Sequence, residues 1–325
     1  MTPIRVGILG AGTIAHTMAT TLAQMTEATA YAVASRNIEN AAAFAKPFGI
    51  EKVYGSYLDM VKDPDVDLIY IATPHSHHYE HAKLCLTNDK PVLCEKAFTA
   101  NTEQAEELFE IAKRHGIFAS EGMWTRFTPM AQHLQKLLAE GVIGEPRMLT
   151  CDFGENLVHV ERLVNPALAG GALLDLGVYA INFASIAFGS DVQSVTSAAS
   201  LTDSGVDAQE SISLQYADGR IANLSVTMQC PTGQHGIIYG TKGWISVEGL
   251  TNYKRFTVFN KEHGQSEVYD RPAQITGFEY EVLACVEALR EKRLECPEMP
   301  HAETLRIMRL MDSLRAHWGE RFPFE

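Results

Sequence analysis

The chain has 325 residues, a formal net charge of -13 and a hydrophobic content of 46%. This length predicts about two domains, and a chain of this size can bury roughly three quarters of its unfolded surface, so stability requires no disulfide or structural metal. The acidic excess argues against nucleic acids and anionic membranes as partners, because both bind positively charged surfaces. A small-molecule ligand in a locally basic pocket is compatible with this charge.

The cysteines and the N-terminus indicate a reducing compartment. None of the six cysteines has Cys-x-x-Cys spacing or flanking histidines at zinc-finger distances, so we expect buried, reduced thiols and no metal site. The first residues lead directly into a strand-like segment without the features of a signal peptide, which predicts a cytoplasmic protein. Residues 163–190 have the length and apolarity of a membrane span, but Pro166 and Asn182 interrupt them and favour a buried helix.

The first 121 residues alternate short apolar runs with helical stretches, the order typical of βαβ units on a parallel sheet. Asn101 and Gln104 form a capping-box pattern before a helix over 105–115, and Gly116 is suited to end that helix. We therefore expect an α/β Rossmann domain over 1–121, with a parallel, doubly wound sheet that binds a dinucleotide. Its predicted strands cover 4–9, 30–35, 68–72, 91–94 and 117–120.

After residue 121 the pattern changes, and strands predominate beyond residue 190. Residues 212–216 and 222–228 alternate apolar and polar side chains around an Ala217-Asp218-Gly219 turn, which predicts an antiparallel hairpin with one buried face. We expect an α+β domain over 122–325, with a large, mainly antiparallel, open-faced sheet for substrate binding and oligomerisation, and a C-terminal helix able to pack back on the first domain. Its other predicted elements are helices over 128–140, 278–293 and 302–318, and strands over 147–153, 237–239, 244–247 and 256–259.

A glycine-rich turn follows the first predicted strand and opens a helix. It reads Gly10-Ala11-Gly12-Thr13-Ile14-Ala15, the G-x-G-x-x-A pattern of dinucleotide-binding turns. The first glycine permits the tight turn, and the second lets the backbone approach a pyrophosphate. The amides and the dipole at the helix N-terminus then favour the phosphates. We expect Gly10, Gly12, Thr13 and Ile14 to bind the cofactor.

The second predicted strand ends in Ser35-Arg36, where a dinucleotide-binding fold meets the adenine ribose. An acidic residue there would accept hydrogen bonds from the ribose of NAD, whereas Ser35 and Arg36 offer a hydroxyl and a cation that can bind a 2'-phosphate. This favours NADP over NAD, with NAD as the alternative. Arg36 could also be a solvated surface charge.

Two segments place polar residues in apolar surroundings. The strand over 91–94 runs into Glu95-Lys96 at the carboxyl edge of the sheet, where open α/β sheets bind ligands. Asp175 and Tyr179 are four residues apart in an apolar helix and so are expected to share one face. A buried carboxyl and phenol are costly unless they are paired. These residues are catalytic candidates, and the alternative is a hydrogen-bonded pair that only supports the fold.

Five ordered motifs follow the glycine turn along the chain. They are Ala72-Thr73-Pro74-His75-Ser76-His77-His78, Glu95-Lys96, Trp124-Thr125-Arg126-Phe127, Gly170-Gly171-Ala172-Leu173-Leu174-Asp175-Leu176-Gly177-Val178-Tyr179 and Gly240-Thr241-Lys242-Gly243. In these motifs the chain resembles the Gfo/Idh/MocA family of dinucleotide-dependent oxidoreductases, and within it the branch of dimeric trans-dihydrodiol dehydrogenases and NADP-dependent D-xylose dehydrogenases. Ala97 stands where the common family pattern has Pro, and Tyr179 where it has His; both replacements look like those of that branch.

The resemblance implies roles for the residues in these motifs. Tyr179 is the expected general acid or base, Lys96 the cation that favours its phenolate, and Asp175 the group that orients one of them. His77 and His81 are expected to be exposed helix residues without a role. Ala72, Thr73, Pro74, His75, His78, Glu95 and Lys96 are expected at the dinucleotide. Trp124, Arg126, Phe153 and Phe278 are expected at the substrate, although aromatic residues at strand ends are as often part of a core.

We therefore predict an NADP-dependent dehydrogenase or reductase that transfers hydride between nicotinamide and a secondary or anomeric alcohol of a sugar, cyclic polyol or trans-dihydrodiol. A homodimer or higher homo-oligomer is expected from the resemblance. The alternative is a non-catalytic NAD(P)-binding sensor of the same fold, which would be free to lose Lys96 and Tyr179. A 2-hydroxy-acid dehydrogenase lacks a recognisable Arg and His pair for a carboxylate.

Overall fold

The structure, a computed structural model, describes residues 2–260 and 264–325. Within these residues the chain forms two compact units. The first contains Met1–Trp124 together with Gln274–Met308, and the second contains Thr125–Ala273 together with Arg309–Glu325. A single cut at residue 121 does not separate the units, because the chain returns to the first one before it ends.

The first unit is built on a six-stranded sheet in the order β3-β2-β1-β4-β5-β6, and every neighbouring pair is parallel. This order is that of a dinucleotide-binding doubly wound sheet, which confirms the predicted Rossmann fold. The central strands are buried because helices cover both faces of such a sheet. The strands are β1 Ile4–Leu9, β2 Ala28–Ala34, β3 Lys52–Tyr54, β4 Leu68–Ile71, β5 Val92–Glu95 and β6 Ala119–Gly122.

The helices begin and end largely where local sequence signals predict. Asn101 caps its helix by accepting a hydrogen bond from the Gln104 amide (3.1 Å), and Gly116 ends it with a φ of 66°. Gln104 in turn accepts from the Ala100 amide at 3.2 Å. The helices are α1 Thr13–Leu22, α2 Ile38–Phe48, α3 Tyr57–Val61, α4 His75–Leu86, α5 Thr102–His115, α6 Pro129–Ala139, α7 Glu161–Val164, α8 Val178–Phe188, α9 Glu279–Arg290 and α10 His301–Trp318.

The second unit is built on an eight-stranded sheet in the order β14-β13-β12-β11-β7-β10-β9-β8. All neighbours are antiparallel except β7 and β10, so the predicted mainly antiparallel sheet is confirmed. The predicted hairpin is β9 with β10, in which Ile212 pairs with Leu224 on the buried face. The strands are β7 Pro146–Gly154, β8 Val192–Leu201, β9 Asp207–Tyr216, β10 Ile221–Thr227, β11 His235–Gly240, β12 Gly243–Glu248, β13 Arg255–Asn260 and β14 Gly264–Asp270.

The apolar segment Pro166–Phe188 is the one helical stretch of the described residues with the length and hydropathy of a membrane span, and 94% of its most apolar window is buried inside the protein. It contains a short π turn, Leu173–Gly177, followed by α8. It therefore packs as a core helix, as predicted. One expectation about the cysteines was wrong: five are buried, but Cys230 is exposed on the loop after β10.

Candidate active site

The glycine turn between β1 and α1 has the geometry of a phosphate cradle. Gly10 has a φ of 109°, and its amide donates to the Ala34 carbonyl at 2.9 Å. A Cβ on Gly10 would lie 2.7 Å from the Ala72 oxygen, so no larger residue fits there. Gly12 precedes α1 without a side-chain cap, and no atom lies within 4 Å of where its Cβ would be. Thr13 is exposed and Ile14 half-buried beside this open space. These residues fit a pyrophosphate.

The end of β2 carries the residues predicted to meet the adenine ribose. Ser35 Oγ accepts a hydrogen bond from the Asn37 amide at 3.4 Å, and the Ser35 amide donates to the Tyr54 carbonyl at 3.2 Å. Arg36 is exposed. Burial raises the pKa of the nearby Tyr57 phenol, and the charge of Arg36 opposes that shift. The guanidinium at this strand end is thus exposed and lies close to the Tyr57 phenol.

The loop after β4 is fixed by one buried imidazole. His78 Nε2 lies 2.7 Å from the Thr73 carbonyl oxygen, and its Nδ1 lies 2.8 Å from the Ala97 carbonyl oxygen. Two carbonyls favour a doubly protonated ring, but burial outweighs them and lowers the pKa of His78 to about 4, with Lys96 acting in the same direction. The neutral ring joins the loop at Thr73 to the segment after Lys96, as expected for His78.

The histidines around His78 also lie close to the loop. His75, at the start of α4, is 5% exposed and meets the His78 ring edge-on at 5.7 Å. His77 and His81 were expected to be exposed, but both are half-buried, and His81 Nδ1 lies 3.0 Å from Thr73 Oγ1. Burial lowers the pKa of His81 to about 4. The helix packs this face against the loop, which the sequence of α4 alone does not indicate. Ala72 is buried, and Pro74 occupies the position before α4 in an extended conformation.

The Glu95-Lys96 segment leaves β5 at the carboxyl edge of the sheet, as predicted. Glu95 is 6% exposed and accepts a hydrogen bond from the hydroxyl of Tyr70. Burial and the charge of Glu95 raise the pKa of Tyr70, so this phenol stays a proton donor. Lys96 is half-buried, and the peptide bond between Lys96 and Ala97 is cis. After β6, Trp124 stacks on Phe278 with ring centroids 4.6 Å apart.

In the second unit, a cation that the sequence did not reveal is paired with Asp175. Arg162 donates through Nη1 to Asp175 Oδ1 at 3.0 Å and through Nη2 to Oδ2 at 3.5 Å. The Asp175 side chain is 8% exposed and that of Arg162 44%. A buried carboxylate requires such compensation. Only the fold brings the two residues together, because they lie in different elements, α7 and the π turn.

Tyr179 lies at the start of α8, is 8% exposed, and meets the ring of Phe153 edge-on with centroids 5.7 Å apart. The structure thus brings the predicted catalytic phenol and one predicted substrate residue together. Arg126 donates through Nη1 to Asn182 Oδ1 at 3.1 Å and to Ser185 Oγ at 3.4 Å. Arg126 therefore braces α8, a role that its prediction as a substrate contact did not include.

Comparison with known proteins identifies the family. The Gfo/Idh/MocA oxidoreductase family model with an NAD-binding Rossmann fold matches residues 4–123, and the model of the family's C-terminal domain matches residues 131–246. The chain is 33% identical to trans-1,2-dihydrobenzene-1,2-diol dehydrogenase of Bos taurus and 32% identical to that of Homo sapiens, over 98% of each chain. The chain belongs to the Gfo/Idh/MocA family. The resemblance inferred from its motifs is confirmed.

Solved structures of family members agree with this assignment. The structure of a 3-ketoreductase from Actinomadura kijaniata in complex with NADP and TDP-benzene is 27% identical, covers 97% of both chains and gives a TM-score of 0.88. An aldose-aldose oxidoreductase from Caulobacter crescentus, 22% identical with a TM-score of 0.86 over 97% of both chains, shares the fold. The chain is therefore an NAD(P)-dependent oxidoreductase, and the predictions of an enzyme and of a nicotinamide cofactor are confirmed.

The two glycines of the turn allow a matched test. We expect Gly10→Ala to destabilise the fold by about 1–3 kcal/mol, because its φ and the Ala72 oxygen oppose a Cβ. Gly12→Ala should leave the melting temperature unchanged and weaken NADP binding by about tenfold or more, because its Cβ would fill the space over the α1 amides. Thermal unfolding measures the stability of the two variants, and titration calorimetry measures their affinity for NADP. Unchanged NADP affinity in Gly12→Ala would contradict this placement of the pyrophosphate.

Proposed function

We propose that this family member is an NADP-dependent dehydrogenase or reductase that acts on a secondary or anomeric alcohol of a cyclic polyol, sugar or trans-dihydrodiol. The observation that carries the proposal is Tyr179, a phenol 8% exposed that lies against the ring of Phe153. A phenol beside an aromatic wall suits a ring substrate with one apolar face and one hydroxylated edge. The names of the curated relatives, dihydrodiol dehydrogenases, support the same substrate class.

The proposed mechanism assigns one proton-transfer group and one cation. In oxidation, Tyr179 as phenolate takes the hydroxyl proton while the carbinol C–H bond breaks and its electron pair leaves as hydride. When bound, the nicotinamide would supply the hydride acceptor. Lys96 donates a hydrogen bond to the substrate oxygen and stabilises negative charge on it during proton removal. Asp175, held by two bonds from Arg162, orients these groups. Reduction follows the same path in reverse.

We further propose that the dinucleotide domain expected over 1–121 is the first unit, which also includes Gln274–Met308, and that the substrate and oligomer domain expected over 122–325 is the second unit. The cofactor residues would be those of the glycine turn, Ser35, Arg36, the Ala72-Thr73-Pro74-His75 loop, His78, Glu95 and Lys96. In this proposal Trp124, Phe153 and Phe278 contact substrate, and Arg126 does so from the turn Trp124–Phe127, where it also bonds Asn182 and Ser185 of α8. The buried, unpaired thiols in the described residues support a cytoplasmic location.

The outer face of the second sheet suits a homodimer. An apolar row crosses neighbouring strands on this face, where Ile221 pairs with Met148, Met148 with Tyr239, and Tyr239 with Trp244. Ile221, Met148 and Trp244 are 39%, 40% and 36% exposed. A continuous exposed apolar surface of this kind is typical of an interface. We infer that a second copy of the chain covers it.

We expect Tyr179→Phe to lower kcat by at least about 100-fold while NADP affinity stays within twofold of wild type, because the hydroxyl is needed only for proton transfer. Lys96→Met should also lower kcat, and Lys96→Arg, which retains the charge, should lower it less. Rates are followed by the absorbance of reduced nicotinamide with a panel of pyranoses, cyclic polyols and trans-dihydrodiols. A wild-type rate in Tyr179→Phe would remove this residue from the mechanism.

Arg36 tests the choice of cofactor. Arg36→Ala should weaken NADP binding by about tenfold or more and leave NAD binding unchanged, because only NADP carries a 2'-phosphate for the guanidinium to bind. Arg36→Lys retains a positive charge and should lose less affinity. Calorimetric titration of each variant with NADP and with NAD gives the ratio of the two dissociation constants. An equal loss of affinity for NADP and NAD in Arg36→Ala would show that Arg36 does not bind the 2'-phosphate.

For the oligomer, sedimentation of the wild type should give a dimer, and Met148→Lys should shift it to a monomer by placing a charge in the apolar row. Leu283→Lys on α9 is the matched control, because Leu283 is 37% exposed but lies outside the sheet. It should sediment as the wild type does. A monomeric wild type at micromolar concentration would contradict the proposed interface.

A further inference from the structure

Three buried carboxyls meet the turn that carries Asp175. We call Asp207, Glu210 and Glu320 the carboxyl cluster; they are 1%, 4% and 3% exposed. Asp207 Oδ2 accepts a hydrogen bond from the amide of Leu173 at 2.7 Å, and Leu173 is the first residue of the π turn. The amide of Asp207 donates to Glu320 Oε1 at 3.4 Å. The cluster thus connects β9 and the C-terminal segment to the start of the turn.

Glycines at both ends of the turn let the carboxyls approach it closely. A Cβ on Gly171 would lie 2.1 Å from Asp207 Oδ1, and a Cβ on Gly177 would lie 2.7 Å from Glu210 Oε1. Both distances are shorter than any side chain tolerates, so the cluster contacts the backbone before and after Asp175. Carboxyl oxygens therefore lie against both ends of the turn, and Asp207 also bonds its first amide. Tyr179 follows the turn by two residues.

The cluster cannot be fully ionised, because three like charges in a buried site repel each other and lack water. Within the described residues, neither oxygen of Glu210 receives a hydrogen bond, so an ionised Glu210 would be buried without compensation. A protonated Glu210 can instead donate to Asp207. Burial and the charge of Asp207 raise the pKa of Glu210, and the same two causes raise that of Glu320 to about 8.

The charge that opposes these shifts comes from α10. Arg315 lowers the pKa of Glu320, but its guanidinium is also bonded to Asp312 at 3.2 Å and to Glu325 at 2.7 Å. Burial raises the pKa of Asp207 as well, whereas hydrogen bonds from Glu210 and from the Leu173 amide lower it. Near neutral pH, Asp207 is therefore the member best placed to carry the negative charge, and its neighbours carry the protons.

We propose that Asp207 is a positioning residue for the reaction: its carboxylate holds the Leu173 amide, and protons on Glu210 and Glu320 hold that carboxylate in place. The segment bearing Asp175 and Tyr179 keeps its position through this contact. The effect on turnover rests on the proposed function, in which those two residues act on the substrate. The contact itself does not depend on that function.

The pH dependence follows from the sign of the shift at Glu320. Its pKa rises from an ordinary 4.5 to about 8 on folding, so the folded state binds the proton more tightly than the unfolded state. This contribution to stability is complete below pH 4.5 and is lost as the pH rises through about 8. Above that pH the cluster gains a negative charge, and repulsion loosens the hold on Leu173.

The test compares wild type with Glu320→Gln, whose amide N–H can donate to Asp207 but does not titrate. Hydrogen exchange at the Leu173 amide, corrected for the intrinsic rate, is measured from pH 6 to pH 9. We expect wild-type protection to fall by about tenfold or more as the pH passes 8, and Glu320→Gln to lose this dependence. Asp218→Asn, an exposed acid on the β9–β10 turn, is the control and should behave as the wild type.

Turnover gives the second measurement. The decline of kcat above pH 8 should be less steep in Glu320→Gln than in the wild type. Asp207→Ala should lower kcat by about tenfold or more and leave NADP affinity unchanged. Asp207→Asn should restore part of the lost kcat. If Tyr179→Phe were fully active, the proposed function would fail, yet the exchange experiment would still test the contact. The proposal would be overturned if protection of the Leu173 amide in the wild type did not change with pH, or if it changed with pH equally in Glu320→Gln.

Discussion

A single buried imidazole organises the carboxyl edge of the first sheet. His78 lies between the Thr73 and Ala97 carbonyls at 2.7 and 2.8 Å, and so fixes the loop after β4 relative to the segment after β5. Lys96 precedes that segment directly, so its position depends on the same contact. Because burial keeps the ring neutral at neutral pH, it can donate to only one carbonyl at a time. The ring nevertheless contacts both carbonyl oxygens, so the loop at Thr73 and the segment after Lys96, both proposed to lie at the cofactor, are packed against the same side chain.

Much of the fold could be predicted because it rests on local signals. The apolar run of β1, the glycine turn and the alternation of β9 and β10 each define their element in a few residues. The strands β3, β8 and β14 were not predicted because their sequences carry too little periodic signal. β3 has only three residues, and β8 and β14 are edge strands whose sequences are polar or weakly alternating, so the pairing partner and not the sequence makes them strands.

The candidate site was predictable only as far as sequence motifs reach. The motifs gave Lys96, Asp175 and Tyr179, but the contacts that hold the turn around Asp175 come from other elements. Arg162 pairs with Asp175 across elements, and Asp207 reaches Leu173 from 34 positions away. The π turn also changes the angular offset that α-helical spacing assigns to Asp175 and Tyr179. Charges that compensate a buried group are set by tertiary structure, which periodicity does not describe.

The central claim is that hydride leaves a hydroxyl-bearing ring carbon while Tyr179 accepts the hydroxyl proton. The most direct measurement uses a trans-dihydrodiol and a pyranose deuterated at the carbon to be oxidised, with NADP and the wild-type protein, and follows the label by NMR. The account predicts that one deuterium per turnover appears at C4 of the nicotinamide. Binding of NADP and of these substrates with no deuterium transferred from any of them would contradict it.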